Sequence, residues 1–241
     1  MSANVIAIDG PSYVGKSTIS KSLAELMGYT FINTGHMYRT IAKKCLDAKI
    51  ASENRSVVCE LAGKTDIQFR TTSEGTLTFV DGEDWTAKLG AAEIVLFASK
   101  IAPIPELREL LTAMQRTYAQ KQTIVMEGRD IGSVVFPDAL WKFYVTASKE
   151  IRAWRMYKLM TPEEKKACAD HHVLIPKIEE LDDSDMNRAI APLKKADDAI
   201  VYDNSDSPSE KQDALILQYY LTHGEEIIQN TKLLPSKFVA R

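Results

Sequence analysis

The feature that most constrains this chain is Gly10-Pro11-Ser12-Tyr13-Val14-Gly15-Lys16-Ser17, set directly behind the apolar run Val5-Ile6-Ala7-Ile8. The spacing G-x-x-x-x-G-K-[ST] is that of a phosphate-binding loop. Each fixed residue type has a physical task. Gly10 and Gly15 permit backbone angles that turn consecutive N–H groups inward toward one anion. Lys16 sets an ammonium against the β- and γ-phosphates of a nucleotide, and the Ser17 hydroxyl suits Mg²⁺. Ile19, Leu23, Leu26 and Met27 follow at helical spacing, so a helix opens at the loop and adds the positive end of its dipole. Strand before, helix after: the context required for the motif is present.

The remaining chain alternates strand and helix, with one interruption. The first helix runs from about Lys16 to Met27 and ends at Gly28; a strand covers Tyr29 to Ile32. The polar stretch Asn33-Thr34-Gly35-His36-Met37-Tyr38-Arg39 then feeds a helix to about Ala48, with Thr34 in place to cap it. Arg39 lies a turn inside that helix, near its positive end, where a cation is favoured only if an anion binds alongside. A helix over Ser52–Lys64 precedes the interruption, a small antiparallel meander. Its strands cover Asp66–Thr71 and Thr76–Asp81, with a third near Asp84-Trp85 beyond the turn Asp81-Gly82. Helices follow at about Ala91–Ile101 and Pro105–Lys121.

Thr123-Ile124-Val125-Met126 is wholly apolar, the mark of a strand buried on both faces of a parallel sheet. It ends in Glu127-Gly128-Arg129-Asp130, at the strand end where open α/β sheets bind ligands. Glu127 is placed to help hold Mg²⁺ and its waters, and Arg129 and Asp130 to contact a phosphate and a base. A strand over Asp138–Thr146 leads to a helix from Ser148 that carries Arg152 and Arg155. Thr161-Pro162-Glu163-Glu164 opens another helix, and Lys165–His172 is polar and exposed in character. His171-His172 has no partner at metal-ligand spacing and reads as a surface pair. The acid-rich segment Glu179–Arg188 reads as a helix with a solvated face. Ala199–Asp203 is a last strand, and Ser207-Pro208-Ser209-Glu210 has the spacing of a capping box for a final helix to about His223.

Composition narrows the partners. With 241 residues and a formal net charge of −3 there is no basic surplus, so no nucleic acid is expected. No run approaches the ~20 apolar residues of a membrane span, and Met1-Ser2-Ala3-Asn4 carries no targeting pattern. Cys45, Cys59 and Cys168 are odd in number and widely spaced, which points to a reducing cytoplasm. A monomer is expected.

From the residues alone, motor, GTPase and kinase stay open, although no Asn-Lys-x-Asp base-reading loop is present. The arginines favour a kinase whose acceptor is itself an anion, because bringing two polyanions together requires guanidinium groups to screen them. A phosphate acceptor is already ionised near neutral pH and needs no general base.

At this point the chain resembles the bacterial cytidylate (CMP) kinases, over nearly its whole length to about Tyr220. The likeness is carried by Ile8-Asp9-Gly10-Pro11-Ser12…Gly15-Lys16-Ser17, Thr34-Gly35-His36-Met37-Tyr38-Arg39, Gly128-Arg129-Asp130-Ile131-Gly132-Ser133-Val134-Val135-Phe136-Pro137-Asp138-Ala139 and Asp182-Asp183-Ser184-Asp185-Met186-Asn187-Arg188-Ala189-Ile190-Ala191-Pro192-Leu193. The resemblance implies a P-loop NTPase fold of three α/β/α layers around a parallel sheet. The core would span 1–33, 122–150 and 190–241, with an inserted α+β monophosphate-binding domain at 34–121 and a short helical lid at 151–189. It implies ATP binding by Gly10, Pro11, Ser12, Tyr13, Val14, Gly15, Lys16, Ser17 and Thr18, with Mg²⁺ on Ser17 and, through water, Glu127. Thr34, Arg39, Ser99, Arg108, Arg129, Asp130, Asp185 and Arg188 would line a CMP or dCMP site. Lys16, Arg129, Arg155 and Arg188 would serve transfer of the γ-phosphoryl group, with Arg155 reaching it from the lid.

Several positions depart from that family's pattern. Asn33 stands for an aspartate, Glu127 for the aspartate before Gly-Arg-Asp, and Gly90 for an arginine. In the lid, Leu181, Ser184 and Met186 occupy places often basic, and Met156 replaces a second arginine after Arg155. The lid changes each remove a cation, which Lys158, Lys165 or Lys166 would have to supply. A monophosphate kinase of altered base preference and a weakened nucleotide-binding protein are the alternative readings.

Overall fold

A computed structural model describes residues 2–72, 75–206 and 238–239. Its centre is a six-stranded sheet in the order β2-β6-β1-β7-β8-β9. The strands are β1 (Ser2–Asp9), β2 (Thr30–Asn33), β6 (Ile124–Gly128), β7 (Ala139–Thr146), β8 (Ile200–Asp203) and β9 (Phe238–Val239). All pairings among the first five are parallel; β9 adds to β8 antiparallel.

The strands are apolar because both faces are covered. Along β1, Val5 and Ala7 enter one core and Ile6 and Ile8 the other; in β6, Ile124 and Met126 part from Val125 in the same way. This is the period of two expected of a strand between layers. On one face lies α1 (Lys16–Met27), which buries Ile19, Leu23 and Ala24. On the other lie α2 (Thr34–Asp47) and α5 (Pro105–Lys121), contributing Met37, Ile41, Leu107 and Leu111. That second core continues without a break into α3 (Arg55–Gly63), α4 (Ala92–Ile101) and the three-stranded meander β3 (Ile67–Thr72), β4 (Gly75–Val80) and β5 (Glu83–Asp84), through Val58, Ile94 and Phe69. The third short strand comes one residue earlier than its expected place.

The helices α6 (Lys149–Leu159), α7 (Pro162–Lys166) and α8 (Ile175–Asn187) form the segment above the loop, with a 3₁₀ turn at His171–Leu174. Two starts are capped as the sequence indicates. Ser148 accepts from Ile151 N, and Thr161 and Glu164 form a reciprocal capping box. Two local expectations are corrected. Asn33, not Thr34, caps α2, its side-chain oxygen accepting from His36 N at 3.2 Å. The segment after Asp130 closes into a π-helical turn, Ile131–Val135. The helix expected from Ser207 to about His223 lies outside the described residues, as do Ser73 and Glu74. No helix among the described residues is long and apolar enough to cross a membrane.

Candidate active site

Register brings the site together. Ile8 pairs with Glu127, which pairs in turn with Asn33, and Asp9 lies beside Gly128 and Tyr144. Four parallel strands therefore release Gly10, Thr34, Arg129 and Ala147 side by side at their carboxyl ends. Gly128 is required there. A Cβ on it would fall 2.8 Å from Thr34 Oγ1, whose hydroxyl donates to Glu127 O at 2.8 Å. Gly10 is required too: it has φ +152, and a Cβ would be driven into the carbonyl of Val145.

The phosphate loop carries its charge under strain. Lys16 is buried and its ammonium donates to Pro11 O at 2.9 Å. Burial pulls its pKa down to about 7, and the Arg129 guanidinium pushes the same way. Burial lowers the pKa of Arg39 as well, with Glu127 acting against that and Arg129 with it; Arg39 donates to Gly35 O at 3.1 Å and Leu89 O at 3.4 Å. Ser17 donates to Glu127 Oε1 at 2.7 Å, while Glu127 Oε2 is buried and has no hydrogen-bond partner among the described residues.

The residues expected on the acceptor side form a second group. Arg108 pairs with Asp130, and both are buried. Arg188 lies 3.9 Å from both Asp130 and Asp185, donates to Ala191 O, and keeps a buried Nη2 without a hydrogen-bond partner. Arg129 joins the two groups: it donates to Asp185 at 2.6 Å and to Ser12 Oγ at 2.8 Å. One predicted residue stands apart. Ser99 is exposed on α4 and donates to Leu96 O of its own helix. Arg155 donates to Tyr13 O at 3.4 Å and Asn204 O at 2.7 Å. Within the loop Tyr13 takes a left-handed φ of 62, Val14 is buried, and Thr18 lies half-buried in the first turn of α1.

A model of the cytidylate kinase family matches residues 6–220. The chain belongs to the cytidylate kinase family. Cytidylate kinases from Caldicellulosiruptor saccharolyticus and Caldicellulosiruptor bescii are each 40% identical to it; the first alignment covers 92% of this chain and 98% of the relative, the second 93% and 97%. One from Aeromonas salmonicida is 38% identical over 90% of this chain and 94% of its own.

For a member of the cytidylate kinase family, the sequence reading missed four residues around the loop. Arg152, only 3% exposed, donates to Ser12 O at 2.8 Å and grips Asp182 through two bonds of 2.7 and 2.6 Å. The available signal was spacing: Arg152 is three before Arg155 on α6, and Asp182 three before Asp185 on α8, so each pair shares a face. Asn204 donates to Val14 O at 2.7 Å from the end of β8. Asp9, ahead of Gly10, accepts from Ile131 N and Gly132 N, and burial still pushes its pKa up to about 6.

Two further expectations meet the geometry. His171-His172 does have a partner, since donor atoms of Asp170, His171 and His172 lie within 4.8 Å of one another; the cluster is exposed at Asp170 and His172 and half-buried at His171. Two of the lysines offered as substitutes for arginines in the expected lid segment are held within that segment: Lys158 sits 3.9 Å over the Trp154 ring, and Lys165 donates to Lys158 O at 3.1 Å. Between α2 and β4, His36 Nδ1 lies 2.8 Å from Thr78 Oγ1, and burial, with Arg39 beside it, pulls its pKa down to about 3.

Proposed function

We propose that this chain transfers the γ-phosphoryl group of ATP to CMP or dCMP, giving ADP and the nucleoside diphosphate. One observation supports the reading beyond family membership: Arg129 donates both to Ser12 Oγ in the phosphate loop and to Asp185, which lies 3.9 Å from Arg188, so a single guanidinium links the loop that carries Lys16 to a second group of cations. Cations on both sides of that link suit two polyanions brought together, here the donor and acceptor phosphates. Lys16 and residues 10–18 take the triphosphate. Thr34, Arg39, Arg108, Arg129, Asp130, Asp185 and Arg188 take the monophosphate, with segment 34–121 as the acceptor-binding insertion and 151–189 as the lid. Ser99 reaches that site only if α4 moves toward it, and Arg155 reaches the phosphoryl group by exchanging two carbonyls for phosphate oxygens.

The donors Ser17 and Glu127 fit Mg²⁺. They offer only oxygen, as a hard cation requires, and Glu127 Oε2 is buried without a hydrogen-bond partner among the described residues. Bound there, Mg²⁺ would neutralise charge on the β- and γ-phosphates. The chain's own residues hold the two nucleotides in line and exclude water; no general base is required of them. The protein would act as a monomer in the cytoplasm, with nucleotides as its partners.

The test is a coupled assay of ADP release with ATP and each of CMP, dCMP, UMP and AMP, run with and without Mg²⁺. The expected result is Mg²⁺-dependent turnover with CMP and dCMP. No turnover above the ATPase background with any acceptor overturns the kinase reading; a clear preference for UMP or AMP overturns only the base assignment.

A further inference from the structure

Asp9 ends β1, one residue ahead of the phosphate loop, and is buried. Its carboxylate is directed away from that loop's own backbone. One oxygen accepts from Ile131 N at 2.8 Å, 122 positions further along the chain, and the other from Gly132 N at 2.7 Å. These two N–H groups open the π-helical turn Ile131–Val135. The first N–H groups of any helical turn lack partners within the turn, and an anion is their natural complement.

What the carboxylate fixes is the two-residue arm between Gly128 and that turn. Arg129 leaves the arm toward Ser12 Oγ and Asp185, and Asp130 leaves it toward Arg108. One end of the arm is held by β6, where Gly128 pairs with Asp9 in the sheet; the other is held by the Asp9 side chain. Asp9 itself has little freedom to shift, because Gly10 follows with its α-carbon against the Val145 carbonyl. The same residue therefore starts the donor loop and anchors the backbone that carries the acceptor-side charges.

We infer that Asp9 is a positioning residue for phosphoryl transfer, holding Arg129 and Asp130 in register with the phosphate loop. The inference rests on the kinase reading above. A carboxylate that only supported the fold would affect both nucleotides alike on removal. One that positions Arg129 and Asp130 would spare ATP and act on CMP and on the transfer step.

Asp9→Asn keeps the size but turns one acceptor into a donor facing an N–H. Its expected effect is a fall in kcat of about tenfold or more and a rise in KM for CMP of about tenfold, with calorimetric ATP affinity within about twofold of wild type. Asp9→Glu, which keeps both acceptor oxygens, should recover part of the loss. In an Arg129→Ala background, Asp9→Asn should change kcat by less than about threefold further, because its effect on the transfer step runs through Arg129. The inference is overturned if Asp9→Asn leaves kcat and KM for CMP within about twofold, damages ATP and CMP binding equally, or adds in full to Arg129→Ala. Should Asp9→Asn fail to fold, Asp9→Glu carries the same comparison and the same cycle. Wild-type turnover and CMP affinity are measured alongside. A wild type without turnover overturns the kinase reading, while the effect of Asp9→Asn on CMP affinity still decides the role of Asp9.

Discussion

Lys16 shows what the proposed role in phosphoryl transfer costs in stability. It is buried, with the Pro11 carbonyl as its hydrogen-bond partner among the described residues, so burial disfavours its charge in the absence of an anion. Lys16→Ala should therefore lower kcat by three or more orders of magnitude, roughly the worth of a transition-state cation. The melting temperature should hold or rise; a sharp fall in it would mean that the lysine supports the fold. Gly10 is constrained in the opposite sense, by space. Gly10→Ala puts a methyl group into the Val145 carbonyl at a φ that side chains rarely adopt, and should destabilise by about 2 kcal/mol or more in denaturant titrations. A loss below about 0.5 kcal/mol would show that the strand gives way. Both residues were legible from the motif, because loop chemistry fixes residue types at fixed spacings. Asp9 and Asn204 were not, since their partners, Ile131 and Val14, are set by strand order that one sequence does not display.

Helix α8 was read as a solvated acidic face, and two of its acids prove to be paired. Asp182 is held by Arg152 and Asp185 by Arg129, one turn apart. Periodicity places charges on a face; it does not say what the face meets. Burial decides which pairs matter. Asp182→Ala leaves the Arg152 guanidinium, with 4% of its side chain exposed, without its partner, and should destabilise by about 3 kcal/mol in chemical denaturation. Lys149→Ala breaks a pair between α6 and α8 whose members are 52% and 48% exposed, and should change stability by less than about 1 kcal/mol. Equal losses in the two variants would contradict the ranking. Element boundaries were legible wherever a cap or a proline marks them, as at Pro105, Ser148 and Thr161. The π-helical turn at Ile131 was not, because a single wide turn repeats no period.

At the scale of the molecule, the α/β reading followed from apolar strands buried on both faces, and the sheet bears it out. The antiparallel edge strand β9 was not anticipated; a two-residue strand gives no pattern. Two buried groups give opposing acid responses. His36, pulled from 6.5 to about 3, stays neutral in the fold while the unfolded chain binds a proton, so its contribution rises with pH across that window and is lost on acidification. Asp9, pushed from 3.8 to about 6, retains its proton in the fold, so its contribution falls as pH rises through that narrower window. Comparing wild type with His36→Gln isolates the first. Between pH 4 and 6 the stability difference should move in favour of wild type with rising pH, by up to about 1.4 kcal/mol per pH unit. Parallel curves would refute a neutral buried His36.

Ser12 is touched twice, its carbonyl by Arg152 and its hydroxyl by Arg129, and the same two arginines hold successive turns of α8. Lifting α8 therefore draws on the phosphate loop, and tightening that loop bears on α8. Thermodynamic linkage makes such an arrangement symmetric: if ATP alters the affinity for CMP by some factor, CMP must alter the affinity for ATP by the same factor. With ATP and CMP bound as proposed, one serine would make each nucleotide answerable to the other.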